Sequence, residues 1–151
     1  MELHQPYENL TYYGRGPFEN YIDRYSGAFI GRYEDKVENQ FYWYIRPQET
    51  GNKTDVRWLT LLDSGGLGVK ITGLQPISFS ALHFSPEDLD PGLTRKLQHT
   101  IDIVPQKNIF LHVDLKQRGL GGDNSWGMYP HNEYRLLDKK YTYSYMIELI
   151  D

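Results

Sequence analysis

Between residues 110 and 117, apolar Leu111, Val113 and Leu115 alternate with polar His112, Asp114 and Lys116. A period of two sends successive side chains to opposite faces of a pleated strand, so one row is committed to a core and the other to the outside. Further short strands are predicted at 9–13, 28–33 and 41–45. Residues 56–62 place Trp58 in one row and Leu59 and Leu61 in the other, and Ser64-Gly65-Gly66 reverses the chain tightly into 67–72. Residues 77–84 set Ile77, Phe79 and Ala81 against Ser78, Ser80 and Leu82. A second hairpin is predicted from 99–104 and 108–117 through Pro105-Gln106-Lys107, followed by a short strand at 133–136. The last strand, 141–150, carries Tyr141, Tyr143, Tyr145, Ile147 and Leu149 in one row. One helix start stands out, at Ser85-Pro86-Glu87-Asp88, with Ser85 as the cap and Pro91-Gly92 stopping it after one or two turns. Short strands joined by glycine and proline turns predict an all-β fold, an antiparallel β-sandwich, formed by one domain over residues 1–151.

Composition narrows the functional classes. The net charge is −4 and basic residues are mixed with acidic ones throughout, so no nucleic-acid footprint is expected. No apolar run approaches the roughly 20 residues of a membrane span, and the polar first ten residues contain no signal peptide. Without cysteine, thiolate chemistry is excluded and the compartment is left open.

The candidate reactive groups do not assemble into a set. His112 and Asp114 share one strand face, but two ligands are too few for a metal and spacing places no third. Gly14-Arg15-Gly16 and Gly65-Gly66-Leu67-Gly68 lead into no helix of useful length, so they read as turns, not as phosphate loops. Ser64, Ser80 and Ser125 lack the strand-to-helix setting of a hydrolase nucleophile. The adjacent carboxylates Glu34-Asp35 and Glu87-Asp88 would point to opposite faces of a strand and are expected to be solvated. A binding or accessory role remains.

The stretch that invites such a role is RGLGGDNSW, residues 118–126. Its glycines allow close turns, and Asp123, Asn124 and Ser125 can bond their own backbone and fix a compact loop. The loop ends on Trp126. An indole there either plugs its own core, as Trp commonly does, or stands out as a binding platform.

Five blocks resemble one family. They are YYGRGPFENYIDRYSGAFIGRYE (12–34), YIRPQETGNKTDVRWL (44–59), FSALHFSPEDL (79–89), HVDLKQRGLGGDNSW (112–126) and the final residues 141–149. In this order they resemble the last domain of the large bacterial β-galactosidases of glycoside hydrolase family two. The resemblance implies a sandwich of the galactose-mutarotase-like, supersandwich type, of which this chain matches roughly the second half. It implies that both catalytic Glu residues, with magnesium and possibly sodium, belong to a (β/α)8 barrel outside this chain, which itself carries no cofactor. It implies that Trp126 joins the wall of that barrel's active site and helps bind the leaving-group sugar of a β-galactoside such as lactose. Asn124 stands where the family tolerates Asp or Asn and is given no role. Half a sandwich should leave an apolar face or strand edge uncovered, so the isolated chain either repacks or associates with a copy of itself. The alternative is a free-standing carbohydrate-binding or interaction domain.

Overall fold

The computed structural model describes residues 1–4, 6–90, 92, 99–124 and 126–151. Among these residues, seven antiparallel strands form one hydrogen-bonded sheet: β1 (Glu2–Leu3), β2 (Asn9–Gly16), β3 (Phe29–Lys36), β4 (Lys53–Leu62), β5 (Gly68–Leu82), β6 (Ile109–Asp114) and β7 (Tyr145–Ile150). The order is β1-β6-β5-β4-β2-β3, and β7 also pairs with β5. The helix α1 (Pro86–Leu89) is a single turn with Ser85 and Asp88 in a reciprocal capping box. Among the described residues no helix is long and apolar enough to cross a membrane.

One long bent strand shapes the molecule. A straight strand from Gly68 to His83 would span about 50 Å. Yet Glu8 lies near both ends. Its neighbour Asn9 opposes Leu62, which opposes Gly68, while the Glu8 carboxylate itself meets His83 Nε2 at 2.9 Å. Strand β5 therefore doubles back. The bend falls at residues 73–76, where β5 runs from Thr72 to Ile77 while β4 advances only from Trp58 to Val56. Strand β4 follows the corner through a second irregularity at Asp55, whose φ is 54°. Folded this way, the sheet turns one face inward on itself, giving the layering of a sandwich from a continuous ladder. Leu10, Tyr12, Leu59, Leu61, Ile71, Ile77, Phe79, Ala81, Ile109 and Leu111 fill that interior.

Several sequence expectations change for identifiable reasons. Strand β2 does not stop at Tyr13; Gly14 and Gly16 continue it opposite Gly31 and Phe29. Gly14 is needed for packing, because a Cβ there would lie 2.6 Å from Val56 Cγ2. The predicted strands 67–72 and 77–84 are the two arms of β5. Residues 41–45 form no strand: the backbone of Tyr42 donates to Thr50 Oγ1 and its carbonyl accepts from Tyr44, while Phe41 packs on Phe84. Residues 99–104 contribute a 3-10 turn, Thr100–Asp102, and the expected alternation leaves Ile101 and Val104 exposed. Likewise 133–136 gives way to a 3-10 turn at Asn132–Tyr134. The 108–117 strand ends at Asp114, and the last strand begins at Tyr145, not Tyr141.

The loop between β2 and β3 is fastened by buried polar groups. Asn20 is fully buried; its amide donates to the carbonyls of Arg15 and Phe18, and its Oδ1 accepts from Thr54 N and Oγ1. Next to it, the buried Glu19 carboxylate accepts from Tyr44, Arg24 (2.5 Å), Thr50 (3.0 Å) and the Gly51 amide (2.9 Å). Burial raises its pKa, but those hydrogen bonds outweigh it and hold the carboxyl below its usual range. Lys53, 2% exposed, donates to Gln40 Oε1 and the Gly51 carbonyl. Burial pulls its amine down from 10.5 to about 8, against the opposing pull of Glu19 and Asp35. Between those values the unfolded chain binds more protons than the native one, so stability rises with pH. Chemical denaturation from pH 8 to pH 9.5 should show this rise, up to about 1.4 kcal/mol per pH unit. The rise attributable to this residue should vanish in Lys53→Met; an unchanged slope would show that Lys53 is not its source.

Candidate functional site

After β6 the chain leaves the sheet, and the 118–126 loop is pinned from below by one carboxylate. Asp23, in the β2–β3 loop, accepts from the Gly121 amide at 2.8 Å through Oδ2. The Gly119 amide donates to the Tyr134 carbonyl at 2.7 Å. Gly119 is buried where a Cβ would lie 2.8 Å from both Asp23 Cγ and Tyr134 Cβ. At Gly122 a Cβ would collide with the carbonyl oxygen of Met128. Glycines at these positions let the loop lie flat on its support.

Above that base the loop closes on itself. The Trp126 amide donates to Asn124 Oδ1 at 2.8 Å, a side-chain turn of the kind Asn favours, and this gives Asn124 a structural task. Ser125 lies outside the described residues. Gly127 follows with φ of 94°, which carries the chain away again. Trp126 is 89% exposed, so the indole does not plug the core.

The other candidates are dispersed. His112 and Asp114 do share a face of β6, opposite Ser80 and Ser78, where Gln117 Nε2 is 3.4 Å from Asp114 Oδ2. Among the described residues no three His, Cys, Asp or Glu side chains converge as a metal site. The carboxylate pairs are not simply solvated. Asp35 accepts from Asn39 and Gln40, each at 2.8 Å, and Asp88 caps α1 while accepting from Gln106 at 2.6 Å. Glu34 is exposed and paired with Arg32. Gly65 and Gly66 do form the β4–β5 turn, closed by Asp63 Oδ1 accepting from the Gly65 and Leu67 amides. Ser80 is buried within β5.

Sequence reasoning missed the supports. Glu19, Asn20 and Asp23 stand in ENYIDR, a polar run without periodicity. Its signal was a dense polar string inside a block of strong family resemblance.

These features define an all-β module that presents an exposed aromatic loop. The chain belongs to the family described as the β-galactosidase small chain, which matches residues 1–147. It is 37% identical over 147 residues to a β-galactosidase of Priestia megaterium, covering 97% of this chain and 14% of that protein. It is 38% identical over 144 residues to a β-galactosidase of Streptococcus thermophilus, covering 94% and 14%. A β-galactosidase, BgaC, of Bifidobacterium adolescentis is 36% identical over 133 residues, covering 86% and 12%. The chain thus spans about one seventh or less of the length of these relatives.

The anchoring role of Asp23 has a local readout. Asp23→Ala should accelerate hydrogen exchange at the Gly121 amide by about tenfold or more, as expected when a bond worth roughly 1.5 kcal/mol is lost. Amides of β4 and β5 should keep their protection. Unchanged exchange at Gly121 would remove Asp23 as the anchor.

Proposed function

We propose that this chain is a non-catalytic part of a β-galactosidase and supplies one wall of its active site through Trp126. The parent enzyme, in this reading, is a retaining hydrolase of glycoside hydrolase family two, and the chain is part of its last, supersandwich-type domain. The β-galactosidase relatives support the enzyme class. The observation that carries the role is an indole 89% exposed at the tip of a loop whose base is pinned to the β2–β3 loop.

The physical argument concerns placement. A pyranose has an apolar C–H face, and an exposed indole offers a flat surface to it. Fixed on a loop tied to Asp23 and Asn124, that surface pays little ordering entropy on binding. It positions the leaving-group sugar and sheds water from the site. It transfers no proton, and the two carboxylates of a retaining mechanism come from the catalytic barrel.

The rest of the enzyme also accounts for an uncovered surface. Ile147 and Leu149 oppose Ile71 and Val69 and so lie on the core side of the sheet, yet they are 47% and 79% exposed. Tyr145, opposite Gly73, is partly open in the same row, and Tyr141 and Tyr143 just before the strand are partly open too. In the enzyme the remainder of the sandwich covers this row. In isolation, light scattering should show mass rising with concentration as copies associate through it; a monodisperse monomer at all concentrations would sink that part.

Trp126→Ala in the assembled enzyme should lower kcat/KM for lactose by about tenfold, the loss of roughly 1.4 kcal/mol. An aryl galactoside, with no sugar as leaving group, should lose less. Equal losses for the two substrates would remove Trp126 from the leaving-group subsite.

A further inference from the structure

A groove of about 680 Å³ opens on the segment that follows the indole, with Asp123 on one side of Trp126 in the chain and residues 127–133 with Arg135 on the other. Pockets of about 300–1,000 Å³ suit small organic ligands. Tyr129 lies in this groove, 68% exposed. The Arg135 guanidinium sits 5.0 Å from the centroid of its ring, covering one side and steadying it. Only Gly127 and Met128 lie between Trp126 and Tyr129, so their Cα atoms, three steps apart, are no more than about 11 Å from each other. Two exposed aromatic side chains therefore stand close together on one loop.

The polar lining is held ready. His131 Nε2 and Asp123 Oδ1 are 2.7 Å apart, and this hydrogen bond and charge raise the pKa of the imidazole above its usual value. Arg135 Nη1 donates to Asn132 Oδ1 at 3.2 Å. Each pair leaves further donors and acceptors on residues that line the groove: the second oxygen of Asp123, the amide nitrogen of Asn132 and the remaining guanidinium N–H groups. Asp123 and Glu133 are offset by Arg135 and His131, so the groove favours neither a polyanion nor a polycation. Acceptors and donors present together suit a neutral ligand whose hydroxyls both donate and accept.

We propose that this groove binds a further sugar unit of an oligosaccharide, with Tyr129 as its apolar floor and Asp123, His131, Asn132 and Arg135 as hydroxyl partners. The inference rests on the reading of Trp126 as a platform for the leaving-group sugar and extends the preferred substrate from a disaccharide to a longer galactoside. Nuclear magnetic resonance titration of the 151-residue chain with lactose and with a galactosyl-terminated trisaccharide tests it. The trisaccharide should shift the amides of residues 127–133 and bind about fivefold tighter than lactose. Both effects should disappear in Tyr129→Ala while the β4 and β5 amides stay in place. Groove shifts that persist in Trp126→Ala would support the groove and count against the Trp126 reading. Shifts confined to the Trp126 indole, or groove shifts unchanged in Tyr129→Ala, would overturn the groove and leave the Trp126 reading standing. No shift at tens of millimolar trisaccharide would overturn it as well.

Discussion

The buried carboxylate of Glu19 and the amide of Asn20 are the interactions on which the rest depends. An irregular loop can be buried only if its backbone groups find partners. Asn20 binds the carbonyls of Arg15 and Phe18 on one side and Thr54 on the other, while Glu19 gathers Arg24, Tyr44, Thr50 and the Gly51 amide. Together they lock the loop after β2 to the segment before β4. The same loop carries Asp23, and Asp23 holds the loop that ends in Trp126. A buried polar centre thus transmits position to an exposed aromatic side chain through a few hydrogen bonds.

The second constraint is the corner in β5. It lets a single ladder wrap a core that would otherwise need two separate sheets. It also divides the outer edge of β5, so that β6 pairs with Ser78–Leu82 and β7 with Gly68–Gly73. The β6 arm buries its apolar row, with Ile109 and Leu111 inaccessible. The β7 arm leaves its row open, although the side-chain pattern is equally apolar. The difference lies in what the bend places opposite each arm.

Much of the sheet was legible as period-two alternation, because packing against one face leaves a direct trace in the order of side chains. That held for Leu59 and Leu61, for Ile77, Phe79 and Ala81, and for Leu111 and Val113, all buried as the pattern implies. Strand expectations failed at 41–45, a continuous aromatic run, and at 99–104, where Ile101 and Ile103 alternate with polar residues, because no neighbouring strand offers a ladder at either place. Alternation reports which side chains could face a core; it does not report whether a partner strand is there. The supports of the loop were illegible for a related reason: Asp23 lies 98 residues from Gly121 in sequence, and their bond leaves no mark on spacing.

The order of residues alone determined that this chain would be β-rich, that the reversal at Gly65-Gly66 and the capped helical turn at Ser85-Pro86 would form, and that an indole would end a glycine-rich loop. These are local outcomes, set by backbone freedom, capping and the two-residue period of a strand. Only the tertiary structure decided that Trp126 stands in solvent, that Tyr129 lines a groove with Asp123 and His131, and that two predicted strands are one bent strand. Those outcomes depend on contacts between distant parts of the chain, where burial and hydrogen-bond satisfaction choose among conformations that local preference leaves equally open.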